Sequence, residues 1–167
     1  MTPMSRIFAL LCIALLAGCA SGDDRDGENG LAGIPAERHT VRRVLSGDTA
    51  ELDTGEVVRY AGIAAPRPGE PFFEEARGRN DEHVVGRDIV VEVRFVPDKK
   101  DAQGLRCANL TVPARTLRVS LWVNPEILQE GLARIDYPTL PSGLEPFFEV
   151  REEEARKARR GIWSRPR

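Results

Sequence analysis

Apolar and polar positions along the chain alternate in short strand-like runs, interrupted by three longer stretches with a helical period. Thr40 to Leu45 is β-favouring and basic, Thr49 to Leu52 follows, and Val57 to Ile63 returns after Asp53-Thr54-Gly55, a tight-turn signal. These three runs predict a meander. From Glu70 to Val85 the period is that of a helix, with Pro71 suited to its first position and Gly86 to its stop. Phe72, Phe73, Ala76 and Val84 make its apolar stripe. Asn80 and His83 fall on or beside that stripe, and read as a partly exposed edge more readily than as ligands.

Downstream, Ile89 to Val96 reads as a strand, and Leu105 to Val112 and Leu117 to Val123 flank Pro113 as a hairpin or two edge segments. Asn124-Pro125 offers a cap and a first-turn proline for a helix reaching Leu132. A last helix is expected from Pro146 to Arg160, braced by Glu152 with Arg156 and Glu153 with Lys157 at i,i+4 spacing. Gly161 ends it, and Ile162-Trp163 can fold back as an apolar plug. Glu-Pro-Phe-Phe-Glu occurs from Glu70 and again from Glu145, which predicts one helix-start chemistry used twice. This order predicts an α+β fold, mainly β: a five-stranded OB-type barrel with about three flanking helices.

The first residues do not fit that domain. Behind Arg6, the apolar run from Ile7 to Gly18 is shorter than the roughly 20 residues that span a bilayer, and it has the form of a cleaved export signal. Leu16-Ala17-Gly18-Cys19 resembles the lipobox of bacterial lipoproteins, which implies cleavage before Cys19 and its acylation. More than one acyl chain is needed for stable anchoring. Ala20, rather than an aspartate, implies sorting to the outer membrane over the inner one. The expected organisation is a signal peptide over 1–18, an acidic flexible stalk over 19–36, and one domain over 37–167, expected to be monomeric.

Cysteine usage and charge narrow the chemistry. Cys12 leaves with the signal and Cys19 takes the lipid, so Cys107 has no partner for a disulfide and is expected as a small buried hydrophobe. From residue 37 onward there are 22 acidic and 22 basic side chains, which lacks the basic excess of a dedicated nucleic-acid binder. With two histidines, His39 and His83, there is no Cys/His metal spacing, and no Gly-rich phosphate loop.

One set of short motifs, in order, carries more. Val44-Leu45-Ser46-Gly47-Asp48-Thr49, Val58-Arg59-Tyr60-Ala61-Gly62-Ile63 and Ala65-Pro66 resemble the staphylococcal nuclease (thermonuclease) family. So do Glu74-Glu75-Ala76, Val123-Asn124 with Glu126, Gly131-Leu132-Ala133, and Glu154-Ala155 through Gly161-Ile162-Trp163. The resemblance implies an OB-type barrel with three helices and calcium-dependent phosphodiester hydrolysis. Such chemistry needs clustered carboxylates for a hard cation, a carboxylate base, and two arginines facing the transition-state charge.

Residue by residue, the resemblance implies a depleted site. Asp48 matches a calcium ligand and Arg59 the first catalytic arginine. Ala64 stands at the second calcium-ligand aspartate, Ala65 at a threonine, Arg67 at the carboxylate base, and Ser46 at another aspartate. Leu105 falls at the second arginine; Arg106, one residue on, points to the opposite face of a strand unless a bulge re-aims it. Three readings follow. The first is a catalytically degenerate binding or structural module at the envelope, without cofactor, that receives an anion between Arg59 and Arg67, its ligand a phosphate-bearing molecule, a nucleic acid or a protein. The second is an active calcium-dependent nuclease, with Glu70, Asp98 or Asp101 standing in for lost carboxylates. The third is a scaffold whose partner docks on the basic run Arg156, Lys157, Arg159, Arg160, Arg165 and Arg167, although such cations also complement a helix C-terminus.

Overall fold

The computed structural model describes residues 31, 33–85, 89–114 and 120–164. Cys19 with its lipobox, the stalk up to residue 30, Gly86, Leu117, Arg165 and Arg167 lie outside the described residues.

β1 (Glu37–His39) and β2 (Val41–Ser46) are one extended stretch interrupted at Thr40. β3 (Thr49–Leu52) and β4 (Val57–Tyr60) complete the predicted meander, both pairings antiparallel. Gly55 takes a φ of 85° in the turn between them, which suits a glycine. β6 (Val91–Lys100) and β7 (Arg106–Val112) pair antiparallel, and β7 lies parallel to β4. The sheet order is β1-β6-β7-β4-β3-β2, so its two ends are the two halves of the first extended stretch. β8 (Leu121–Trp122) adds to β7, bearing out the hairpin around Pro113, and β5 (Ile63–Ala64) with β9 (Arg134–Ile135) forms a separate two-stranded ladder. The architecture is α+β and mostly sheet. It extends the five expected strands with β1, β8 and the small ladder.

The three helices arrive with shifted starts. α1 runs Phe73–Val84, not from Glu70, because Phe72 adopts a left-handed backbone at φ 68° and Pro71 lies in the turn before it. Only the second Glu-Pro-Phe-Phe-Glu opens a helix: α3 (Glu145–Lys157) has its proline in the first turn. α2 (Val123–Gln129) begins two residues early, with Trp122 at the cap position, and Asn124 does not cap it. Its fully buried amide instead accepts from Leu110 N–H and donates to the Ala61 and Ala108 carbonyls, tying α2 to β4 and β7.

Asn80 likewise leaves the role expected from the stripe. It is fully buried, accepts the Tyr60 hydroxyl at 2.9 Å, and donates to Ser46 O at 2.9 Å, so α1 is bolted to the β2–β3 turn. Burial raises the Tyr60 hydroxyl pKa, against the Asn80 hydrogen bond that lowers it. The core continues through Leu52, Ile63, Leu110, Ile127, Leu128 and Phe148. Trp122 stacks on Phe147 at 5.3 Å between ring centroids and meets Phe148 edge-on.

After α3, the predicted Glu152–Arg156 and Glu153–Lys157 pairs are present, at 2.6 and 3.6 Å. Gly161 to Trp163 forms a 3₁₀ turn that docks on the end of α2, with Ile162 N–H donating to Gly131 O at 2.9 Å. A Cβ on Gly161 would stand 2.2 Å from Gly131 O, so this approach requires glycine.

Candidate functional site

The β2–β3 turn places Asp48 at the sheet edge, and the central strand β4 carries Arg59 opposite Thr49 and Cys107. The two meet as a buried ion pair: Arg59 Nη1 is 2.7 Å from Asp48 Oδ2, with side chains 4% and 2% exposed. Asp48 accepts from three further donors. Ser46 Oγ and Thr49 Oγ1 reach Oδ1 at 2.7 and 3.1 Å, and the Ala65 backbone N–H reaches Oδ2 at 2.6 Å. A carboxylate has about four lone-pair sites, so this one is filled. Arg59 also donates from Nη2 to Ile63 O at 3.1 Å, while its buried Nε has no partner. Gly47 allows this tight turn, since a Cβ there would stand 2.7 Å from Ala76 Cβ and 2.8 Å from Ala65 Cβ.

Arg67 is not part of this pair. It is exposed and lines a cleft of about 480 Å³ with Ala64, Glu70, Phe72, Arg134 and Ile162. Glu70 accepts the Arg67 backbone N–H at 2.6 Å. The guanidinium of Arg134 lies 4.2 Å above the Trp163 ring, and Arg156 stacks on the same ring at 4.4 Å. Leu105 sits half-buried in the β6–β7 turn, where Asp101 Oδ1 accepts its N–H and that of Gln103. Arg106 is committed elsewhere, 3.5 Å over Phe95 and paired with Glu56 at 3.2 Å. The register shift between these strands adds residues to β6 and so does not re-aim Arg106. Asp98 holds a left-handed backbone in the same hairpin, at φ 57°. Cys107 is fully buried and free, as expected, and burial with the nearby Asp101 pushes its thiol up to about 11.

The sequence profile described as Staphylococcal nuclease homologue matches residues 57–165. The chain belongs to that family. A micrococcal nuclease of Shigella flexneri is 31% identical over 133 residues, covering 77% of this chain and 75% of the relative. A probable endonuclease, LCL3, of Schizophyllum commune is 27% identical over 123 residues, covering 65% of this chain and 40% of the relative.

Against the calcium that nuclease homology implies, the donor set does not fit. A hard cation needs several free carboxylate or carbonyl oxygens. In this nuclease homologue, Ser46 supplies a hydroxyl donor to Asp48, Ala64 has no side-chain oxygen to offer, Ala65 gives its N–H to Asp48, and Arg67 brings a positive charge. Among the described residues, no three His, Cys, Asp or Glu side chains converge. Glu70 and Asp101, the substitute carboxylates, are hydrogen-bonded within their own turns. Arg134 and Trp163 gave no chemical signal in the sequence. Arg134 is brought to the cleft by its pairing with Ala64, a contact 70 positions apart.

Proposed function

We propose that this nuclease homologue is a non-catalytic binding or structural module held at the bacterial envelope by a lipid on Cys19. One observation carries the reading: Asp48, the remaining match to a metal ligand, has both oxygens filled by Arg59, Ser46, Thr49 and Ala65. Losing a general base costs roughly 10²–10⁴ in rate. Losing a preorganised charge donor costs about 10²–10³. Arg67 in place of the base and Leu105 in place of the second arginine therefore leave little of the family mechanism, even though such losses do not add.

The ligand side of this reading also changes. Arg59 is occupied and buried, so Arg67 is the arginine open to an anion. The competing reading, a calcium-dependent nuclease acting on extracellular or periplasmic nucleic acid, draws on the retained Asp48 and Arg59 and on relatives described as nucleases. A cleavage assay of the purified chain on single-stranded DNA, with calcium or with a chelator, separates them. No calcium-dependent cleavage is expected, and turnover that disappears on chelation would reverse the reading. Incorporation of labelled fatty acid, lost in Cys19→Ser, tests the anchor; label retained by the variant would remove it. The lipid on Cys19 would be the membrane contact of an otherwise monomeric chain.

A further inference from the structure

We propose that the cleft between Arg67 and Arg134 binds a small organic carboxylate carried on an apolar body. This deepens the binding-module reading and rests on it for the choice of an anionic ligand. Among the described arginines, Arg67, Arg134 and Arg159 have neither a carboxylate nor a carbonyl partner for the guanidinium; every other one is paired. Two of these three line the same cleft. Guanidinium groups left unpaired on one concave surface are a ready receptor for a planar anion, which an arginine fork grips with two hydrogen bonds.

Position and volume support the same conclusion. About 480 Å³ falls within the range of small-molecule sites. Arg134 is directly opposite Ala64 on the β5–β9 ladder, so the two side chains share a face. The small methyl of Ala64 leaves that face open in front of Arg134. Trp163 lies under the Arg134 guanidinium and fixes its plane. Pro66, Pro71, Phe72 and Ile162 give the apolar remainder of the wall, which suits a ligand with a hydrophobic body. Glu70 is also in the wall and repels a dianion, so a carboxylate is preferred to a phosphate monoester.

The test uses the full purified chain without added metal, and N-acetyl-leucine as the probe. Leucine amide blocked at its nitrogen and inorganic phosphate are the comparison ligands. Backbone amide shifts of Ala64, Arg67, Arg134 and Ile162 report occupancy, and Trp163 emission reports a change in the Arg134 stack. Saturable binding of the carboxylate is expected, at least tenfold tighter than the amide and tighter than phosphate. Arg67→Ala and Arg134→Ala should each weaken it about tenfold, as expected for one lost charge-assisted contact. Ala64→Asp keeps both arginines but supplies Arg134 with a cross-strand carboxylate, and should weaken binding at least as much. Amide bound as tightly as acid, phosphate bound more tightly than carboxylate, Ala64→Asp without effect, or no saturable shift at these residues would each overturn the site. Calcium-dependent DNA cleavage would instead overturn the non-catalytic reading and leave this binding result standing.

Discussion

The segment from Arg59 to Arg67 carries two arginines with opposite fates. At its start, Arg59 is 3% exposed, and its charge is met by a carboxylate whose every lone pair is filled. At its end, Arg67 stands exposed on a cleft beside Arg134, and neither guanidinium is paired with a carboxylate, although Glu70 lines the same wall. A buried ion pair is stabilised when its remaining hydrogen-bonding capacity is met, and the Asp48 carboxylate, filled in this way, has no lone pair left for a cation, although Arg59 Nε stays unpartnered. An exposed, unpaired arginine adds little to folding and keeps its full capacity for an anion. The chain thus closes the half of the site where its motifs match the family resemblance and leaves open the half where they depart from it.

Removing a partner from the closed half should produce the largest effect. Asp48→Ala leaves the Arg59 charge buried and uncompensated, and about 3–5 kcal/mol of stability should be lost in urea denaturation. Asp48→Leu combined with Arg59→Leu should recover much of it, since no orphaned charge remains. Arg67→Ala and Arg134→Ala should each change stability by no more than about 0.5 kcal/mol. Equal losses in the two halves would erase the distinction between them.

The same contrast can be made with glycines. Gly161 (φ 46°) touches Gly131 backbone, whereas Gly69 (φ 87°), near the cleft, has open space where a Cβ would go. Gly161→Ala should cost on the order of 3 kcal/mol, combining backbone strain with a steric clash. Gly69→Ala should cost about 1–2 kcal/mol from the left-handed backbone alone. Thermal or urea midpoints decide it, and equal costs would mean that the C-terminal turn does not press on α2 as closely as its geometry indicates. At a level like that of Gly69→Ala, Tyr60→Phe should cost about 1–2 kcal/mol by leaving the Asn80 carbonyl without its donor.

The residues that misled the sequence reading are those whose partners are distant along the chain. The strands and the meander follow local alternation, and the family motifs follow in order, so the sheet was legible. Asn80 and Asn124 were not: a polar residue on an apolar stripe and an asparagine before proline have good local explanations, and only tertiary contact turns both into buried cross-links. The first Glu-Pro-Phe-Phe-Glu has the same composition as the second, yet the left-handed Phe72 delays its helix to Phe73. Within the site, the departures from the resembled motifs at Ala64, Arg67 and Leu105 could be read from the sequence. The saturation of Asp48 and the arrival of Arg134 opposite Ala64 depend on strand register, which no local pattern reports.

A pH-dependent effect is expected between the closed and open extremes. Glu130 is half-buried where α2 meets α1, paired with Arg79, and with His83 Nε2 at 3.3 Å. Burial raises its carboxyl pKa, but hydrogen bonds from His83 and Arg79 outweigh this and leave it below its ordinary value of 4.5. A depressed folded-state pKa means that the unfolded chain takes up the proton first as pH falls. The link therefore contributes fully above about pH 4.5 and is lost as pH drops through the lower, folded value. Glu130→Gln should flatten that acid limb in urea midpoints collected across pH 3 to 6, with a change of about 1 kcal/mol or less, given the partial exposure of Arg79. An acid limb of unchanged steepness would assign the sensitivity to another carboxylate. Asp53, whose carboxyl the His39 hydrogen bond holds below its ordinary value, would then be the first to test.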